Sequence, residues 1–306
     1  MKEIKIKVPA TVANMVCGFD ILGMALSEPF DEMTFQLLDE PKVVIEHLDE
    51  FQLPTQPEQN VAGIVALKMI EGLNLSRGVK IRIQKNIKPG SGLGSSAASA
   101  AGAAVGFNIL LNDLLSKEDL VKYAMFGEEL ASGVQHADNI APCIYGGITL
   151  VKSSVPVDVI PLSSPNLYVT AVHPQVEVKT SDARQILKKN VSMKDAVQQW
   201  GNVAGLVAGI LKNDFSLIGR SLHDGIVEPV RSILIPKFDV IKSKSLELGA
   251  LGGGISGSGP SIFMLSETKE TAESVAKIMQ QEYEEIGVKQ FVYVSKINDL
   301  GIQVEN

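Results

Sequence analysis

The residues best suited to chemistry begin in one stretch, KPGSGLGSSAASAAGAA at 88–104. Gly90, Gly92 and Gly94 alternate with Ser91 and Leu93, and Ser95, Ser96 and Ala97 open an alanine-rich run. Glycine tolerates the positive φ that turns successive N–H groups toward one point, and it admits an anion close to the backbone. Alanine favours helix, so the loop delivers a helix start with unpaired N–H donors and the positive end of the macrodipole, a setting for phosphate. A tight strand-to-helix turn, with a small-residue helix packed on a sheet, accounts for the same residues. Two familiar phosphate loops do not fit: no lysine follows the last glycine, and the glycine spacing is not G-x-G-x-x-G. A nucleotide loop of a third kind remains.

Other polar residues fall in groups. Asn14 and Asp20 flank a loop-like stretch, where a turn former and a cap would look the same. Glu128 and Glu129 sit on one helical segment, as two glutamates on a solvated face also would. His136, Asp138 and Asn139 share GVQHADNIAPCIYGG at 133–147, Arg184 follows Thr180 at a helix start, and Arg231 stands three residues after Glu228, a partner it could simply pair with. A second glycine-rich run, GALGGGISGSGPSIF at 249–263 and including Gly257, leads straight into an apolar strand, which a linker does not usually do.

The elements that must position these groups follow from periodicity. Ile4, Ile6 and Val8 alternate with charged residues as a half-buried strand, running into loop residues from Pro9. Strands are expected at 34–40 and 42–48 around a Pro41 turn, and at 79–83 leading into the glycine loop. Asn60 caps a helix over 61–72, and the alanine-rich helix is expected to reach about Leu115. Ser116 to Asp119 is a capping sequence for a helix ending near Gly133. Past a serine- and proline-bearing stretch at 155–165, strands are expected at 167–172, 261–265 and 290–297, with helices at 192–213, 215–223, 237–248 and 268–287. Trp200, the only tryptophan, belongs to core or interface. Strands and helices without regular βαβ spacing point to an α+β fold, divided into domains at 1–160 and 161–306.

The stretch 89–98 resembles the central motif of the GHMP kinases (galactokinase, homoserine kinase, mevalonate kinase, phosphomevalonate kinase). The resemblance implies that residues Pro89 to Ala97 wrap the phosphates of ATP, with Ser96 and Glu128 holding Mg²⁺. PATVANMVCGFDILGMAL at 9–26 resembles the first motif of the homoserine kinases within that superfamily, with Met15-Val-Cys17 in place of the usual Leu-Gly-Pro. HADNIAP at 136–142, the T-x-x-A-R stretch at 180–184, EPVRSILIP at 228–236 and the second glycine run match the same group, in the expected order. The resemblance implies a ribosomal-protein-S5-like N-terminal domain and a ferredoxin-like C-terminal domain. It implies phosphoryl transfer from MgATP to the hydroxyl of L-homoserine, with Arg184 and Arg231 on the carboxylate. Asn14, Asp20, His136, Asp138, Asn139, Thr180 and Gly257 would complete the amino-acid site. Asn139 stands near where other members keep an aspartate base, and an amide cannot accept a proton. Another small-molecule kinase of this superfamily, for mevalonate or shikimate, and a non-catalytic binding protein remain as alternatives.

The 306 residues suffice for two domains. A net charge of −7 argues against nucleic acid, and no run of about 18 apolar residues argues for a membrane span. Cys17 and Cys143 are too few for a disulfide framework. A cytoplasmic enzyme is expected, as a homodimer because dimers are common in the family.

Overall fold

A computed structural model describes residues 3–178 and 180–305. The chain opens with strand β1 (Glu3–Ala13) and the long strand β2 (Leu22–Leu38). Both reach further than the strands expected from the sequence: past a bulge between Pro9 and Thr11, residues Thr11, Val12 and Ala13 pair with Ala25, Met24 and Gly23. Only 14–21 remain as a connecting turn. Next come β3 (Val43–His47), α1 (Val61–Gly72) and β4 (Gly78–Gln84). β2 and β3 do not meet across Pro41. β4 lies between them, antiparallel to β2 and parallel to β3, because its buried Val79, Ile81 and Ile83 fill the centre of the sheet.

Helix α2 (Ser95–Leu110) is buried on nearly every side. Its glycines set that closeness: a Cβ on Gly102 would stand 2.3 Å from Met33 Sδ, and one on Gly106 2.3 Å from the Phe35 ring. The helix stops short of Leu115 because Asn112 and Asp113 turn left-handed, and Asn108 Oδ1 accepts from the Leu115 N–H at 3.0 Å. Then follow α3 (Lys117–Ser132), capped by Ser116, α4 (Ile140–Tyr145), β5 (Ile148–Ser154) and β6 (Val157–Leu162).

The chain leaves the first sheet after Leu162 and enters a second with β7 (Tyr168–Pro174). The helices α5 (Thr180–Gln185), α6 (Met193–Lys212), α7 (Phe215–Ser221), α8 (Glu228–Arg231) and α9 (Phe238–Glu247) precede β8 (Gly252–Ile255) and β9 (Ile262–Ser266). Helix α10 (Lys269–Glu285), β10 (Gln290–Lys296) and β11 (Gln303–Glu305) finish the chain. The second sheet is antiparallel in the order β10-β7-β9-β8, while β11 returns to pair with β1 in the first. Two sheets, each with its own helices, make this an α+β fold. Trp200 lies outside the core, 61% exposed on α6, beside an apolar groove. Among the described residues no helix is long and apolar enough to cross a membrane.

Candidate functional site

One cleft of about 360 Å³ runs between the halves, lined at one end by Leu53, Pro54 and Val61, along its floor by the glycine loop, and at the other end by Arg184 and Arg231. Gly90, Gly92 and Gly94 all take positive φ, at 75°, 81° and 71°. Gly92 has no alternative: a Cβ there would come within 2.6 Å of Gly259 O. That approach exists because the second glycine run clamps the first. Ser256 Oγ donates to Gly92 O at 2.7 Å, and Ser261 Oγ donates to Ser91 O at 2.6 Å. Pro89, Gly90, Gly92, Gly94, Ser95 and Ser96 face the cleft. Ser91, Leu93 and Ala97 are buried beneath it, so they shape the loop rather than line it.

Beneath the loop lies a buried ion pair. Lys85 Nζ contacts Asp31 Oδ2 and donates to Ser95 O at 2.8 Å and Ser99 Oγ at 3.0 Å. Asp31 Oδ1 accepts from the N–H groups of Asn86 (2.7 Å) and Ile87 (2.8 Å). All three ammonium protons are thereby spent on fixing the loop entrance to the first turn of α2. Lys85 was not among the residues singled out from the sequence, but a signal was there. It continues the inward parity of Val79, Ile81 and Ile83, and Asp31 shares parity with Met33 and Phe35. Opposite charges on two buried strand faces must meet.

Ser96 Oγ donates to Glu128 Oε2 at 3.1 Å. Burial raises the Glu128 pKa against the pull of that bond, so the site favours a cation. Glu129, the alternative, turns to the surface and accepts from Gln135. Among the described residues no group of three or more His, Cys, Asp or Glu side chains could hold a metal by itself. A magnesium ion fits the remaining pair, a hydroxyl and one carboxylate, because it draws its other ligands from phosphate and water.

At the far end the turn 14–20 carries strained backbone, with Asn14, Met15, Val16 and Asp20 at φ 72°, 40°, 66° and 61°. Asn14 Nδ2 donates to Gly257 O at 2.9 Å, and its Oδ1 accepts from Asp20 N–H at 3.1 Å. Asp20 Oδ1 accepts from Arg184 Nη2 at 3.1 Å; His136 Nε2 lies 2.8 Å from the same Nη2 and 3.3 Å from Asp20 Oδ2. Arg184 Nε is buried without a partner. Arg231 is 3% exposed and does not pair with Glu228, whose carboxylate meets Lys242. Its Nε donates to Ala183 O at 2.9 Å and its Nη1 to Gly257 O at 3.2 Å. Both guanidinium groups lie over the ring of Phe19. Thr180 begins α5, but its side chain lies outside the described residues.

Asp138 and Asn139 complete this end. A Cβ on Gly23 would stand 1.7 Å from Asp138 O, so glycine lets the HADN turn lie directly on β2. Burial, then the nearby Asp20 carboxylate, pushes Asp138 up to about 7. Asp20 itself is held low by His136 and Arg184, in spite of its burial. The Asp20 contact raises the His136 pKa over opposition from burial and Arg184. Cys17 packs nearby as a buried free thiol, pushed up to about 12 by desolvation, too high for a nucleophile.

Comparison with known proteins places the chain in a family. The model for the GHMP kinases N terminal domain matches residues 60–147, which carry the glycine loop and Glu128, and that for GHMP kinases C terminal matches 206–285, which carry Arg231 and the second glycine run. One match on each side of the cleft defines the class, a kinase of GHMP architecture. The chain is 46% identical over 299 residues to a homoserine kinase of Chloroherpeton thalassium, covering 94% of each chain. It is 44% identical to one of Chlorobium phaeobacteroides, over 99% of this chain and all of the relative. A crystal structure of homoserine kinase from Cytophaga hutchinsonii superposes with a TM-score of 0.94 at 48% identity, covering 100% of this chain and 98% of that one. The chain therefore belongs to the homoserine kinase family of the GHMP kinases.

Proposed function

We propose that the cleft transfers the γ-phosphoryl group of ATP to the side-chain hydroxyl of L-homoserine, giving O-phospho-L-homoserine and ADP, a step toward threonine. The observation that carries this reading is the continuity of one cleft, with a phosphate-type loop along its floor and two guanidinium groups beside acidic residues at its end. A triphosphate on the N–H groups of 90–96 would direct its terminal phosphoryl toward that end. The apolar wall of Leu53, Pro54 and Val61 suits the base. Ser96 and Glu128 would hold Mg²⁺, which when bound would supply positive charge beside the phosphoryl oxygens.

Arg184 and Arg231 take the carboxylate, a match for the guanidinium fork that lysine cannot reproduce. Asp20, Asp138, His136 and Asn14 handle the ammonium, with Thr180 and Gly257 at the rim. Asn139 orients the hydroxyl. Its Oδ1 is held by Thr11, so Nδ2 is the group left to donate. No base is required where the transition state is loose and gains chiefly from alignment; the proton leaves late, to a phosphate oxygen.

The domain at 1–160 supplies the nucleotide cradle and that at 161–306 the arginines, in a cytoplasmic homodimer whose mass light scattering would check. A coupled assay of ADP release over L-homoserine, mevalonate, shikimate and related alcohols tests the reading. Turnover with homoserine is the expected result. Preference for an alcohol lacking the α-amino group, or ATP binding without turnover, would refute it.

A further inference from the structure

Phe19 offers no polar atom, yet both arginines rest over its ring: Arg231 Cζ lies 5.0 Å and Arg184 Cζ 5.7 Å from the ring centroid. Each is within the ~6 Å reach of a cation–π attraction. The arrangement answers a charge problem. Two like charges face one small cavity, and burial followed by Arg184 lowers the pKa of Arg231. A carboxylate beside Arg231 would relieve this, but it would compete with the carboxylate of a substrate. Among the described residues Arg231 has no ion-pair partner: it donates to two backbone carbonyls, of Ala183 and Gly257, and feels Asp20, Asp224 and Asp138 only as more distant charges, whereas Arg184 pairs directly with Asp20. The electron-rich face of Phe19 attracts both cations without occupying an N–H donor, so the N–H groups not already bonded to Ala183, Gly257 and Asp20 stay available. Phe19 lies between Gly18 and the left-handed Asp20, whose carboxylate meets Arg184.

We propose that Phe19 is a positioning residue, a shared aromatic platform that steadies Arg184 and Arg231 and thereby sets affinity for the α-carboxylate of the amino-acid substrate. The proposal rests on the reading that these arginines receive that carboxylate.

The test introduces mono-, di- and trifluorophenylalanine at position 19 of the full chain, which drains the ring face of electron density while nearly preserving its shape. KM for L-homoserine is expected to climb stepwise, reaching about fivefold to tenfold at the trifluoro residue, with Phe19→Leu at the end of the series. Both kcat and KM for MgATP should stay within about twofold. A flat series, or a rise in both KM values together with a falling Tm, would mean that the ring only fills space and would overturn the proposal. The Nε–H resonances of Arg184 and Arg231, followed by NMR without substrate, report the platform separately. Ring-current shifts lost in Phe19→Leu support it, and unmoved resonances overturn it. If the parent protein does not turn over homoserine, the assigned reaction fails while these shifts still judge the platform.

Discussion

Thr11 Oγ1 donates a 2.7 Å hydrogen bond to Asn139 Oδ1, joining the first strand to the turn that carries His136 and Asp138. The same threonine's N–H donates to Leu93 O at 3.1 Å, and a Cβ on Gly94 would stand 2.0 Å from its hydroxyl. Thr11 thus ties the glycine loop and Asn139 to one point. Thr11→Val keeps the shape and removes the donor. Loss of one bond that fixes an amide at the reacting centre should lower kcat about tenfold, with KM for MgATP little changed. Steady-state kinetics on the variant checks this.

Arg231→Lys probes the fork directly. Lysine carries the charge but cannot reach the carbonyls of Ala183 and Gly257 and a substrate carboxylate together. The expected loss in kcat/KM for homoserine is about tenfold or more, on the scale of one charge-assisted bond. Unchanged kinetics would remove Arg231 from the site.

Lys85→Met leaves Asp31 as a buried charge held only by two backbone N–H groups. Breaking one side of a buried pair costs about 3–5 kcal/mol, so Tm should fall on the order of 10 °C. KM for MgATP should rise as well, because Ser95 O and Ser99 lose their common donor. Thermal unfolding read beside ATP titration separates the two effects.

Asp138 supplies a pH signature. Its folded pKa, pushed up to about 7, lies above the ordinary carboxylate value, so the folded state holds a proton that the unfolded chain has released. Its contribution to stability therefore declines as pH climbs from about 4 to about 7 and is flat beyond. Asp138→Asn should remove that slope from a series of denaturation curves. If ionised Asp138 receives the substrate ammonium, kcat/KM should also rise through pH 7 in the parent and lose that step in the variant.

The helices, the inward face of most strands and the two glycine runs were legible because each is a local pattern. Asn60, Ser116 and Ser192 cap the helices that their positions imply. What local pattern could not give was pairing across distance. Nothing near Pro41 says that β4 enters between β2 and β3; that is decided by where Val79, Ile81 and Ile83 find cover. Residues 9–13 look like loop because Pro9 and small residues dominate them, yet they are strand because Thr11, Val12 and Ala13 find partners in Ala25, Met24 and Gly23. Within the site, residues recognised by type were easier to find than those that support them. Thr11 and Phe19 bear no obvious chemistry, and their contacts cross more than a hundred positions of chain.

The Arg184–Asp20 pair is an internal stand-in for an amino acid, one positive and one negative group satisfying each other. A zwitterion exchanges that single pair for two and carries no net charge of its own, so its arrival leaves the tally of charge inside unchanged. Homoserine uptake should then be nearly indifferent to ionic strength, whereas the highly charged nucleotide should feel every increment of salt.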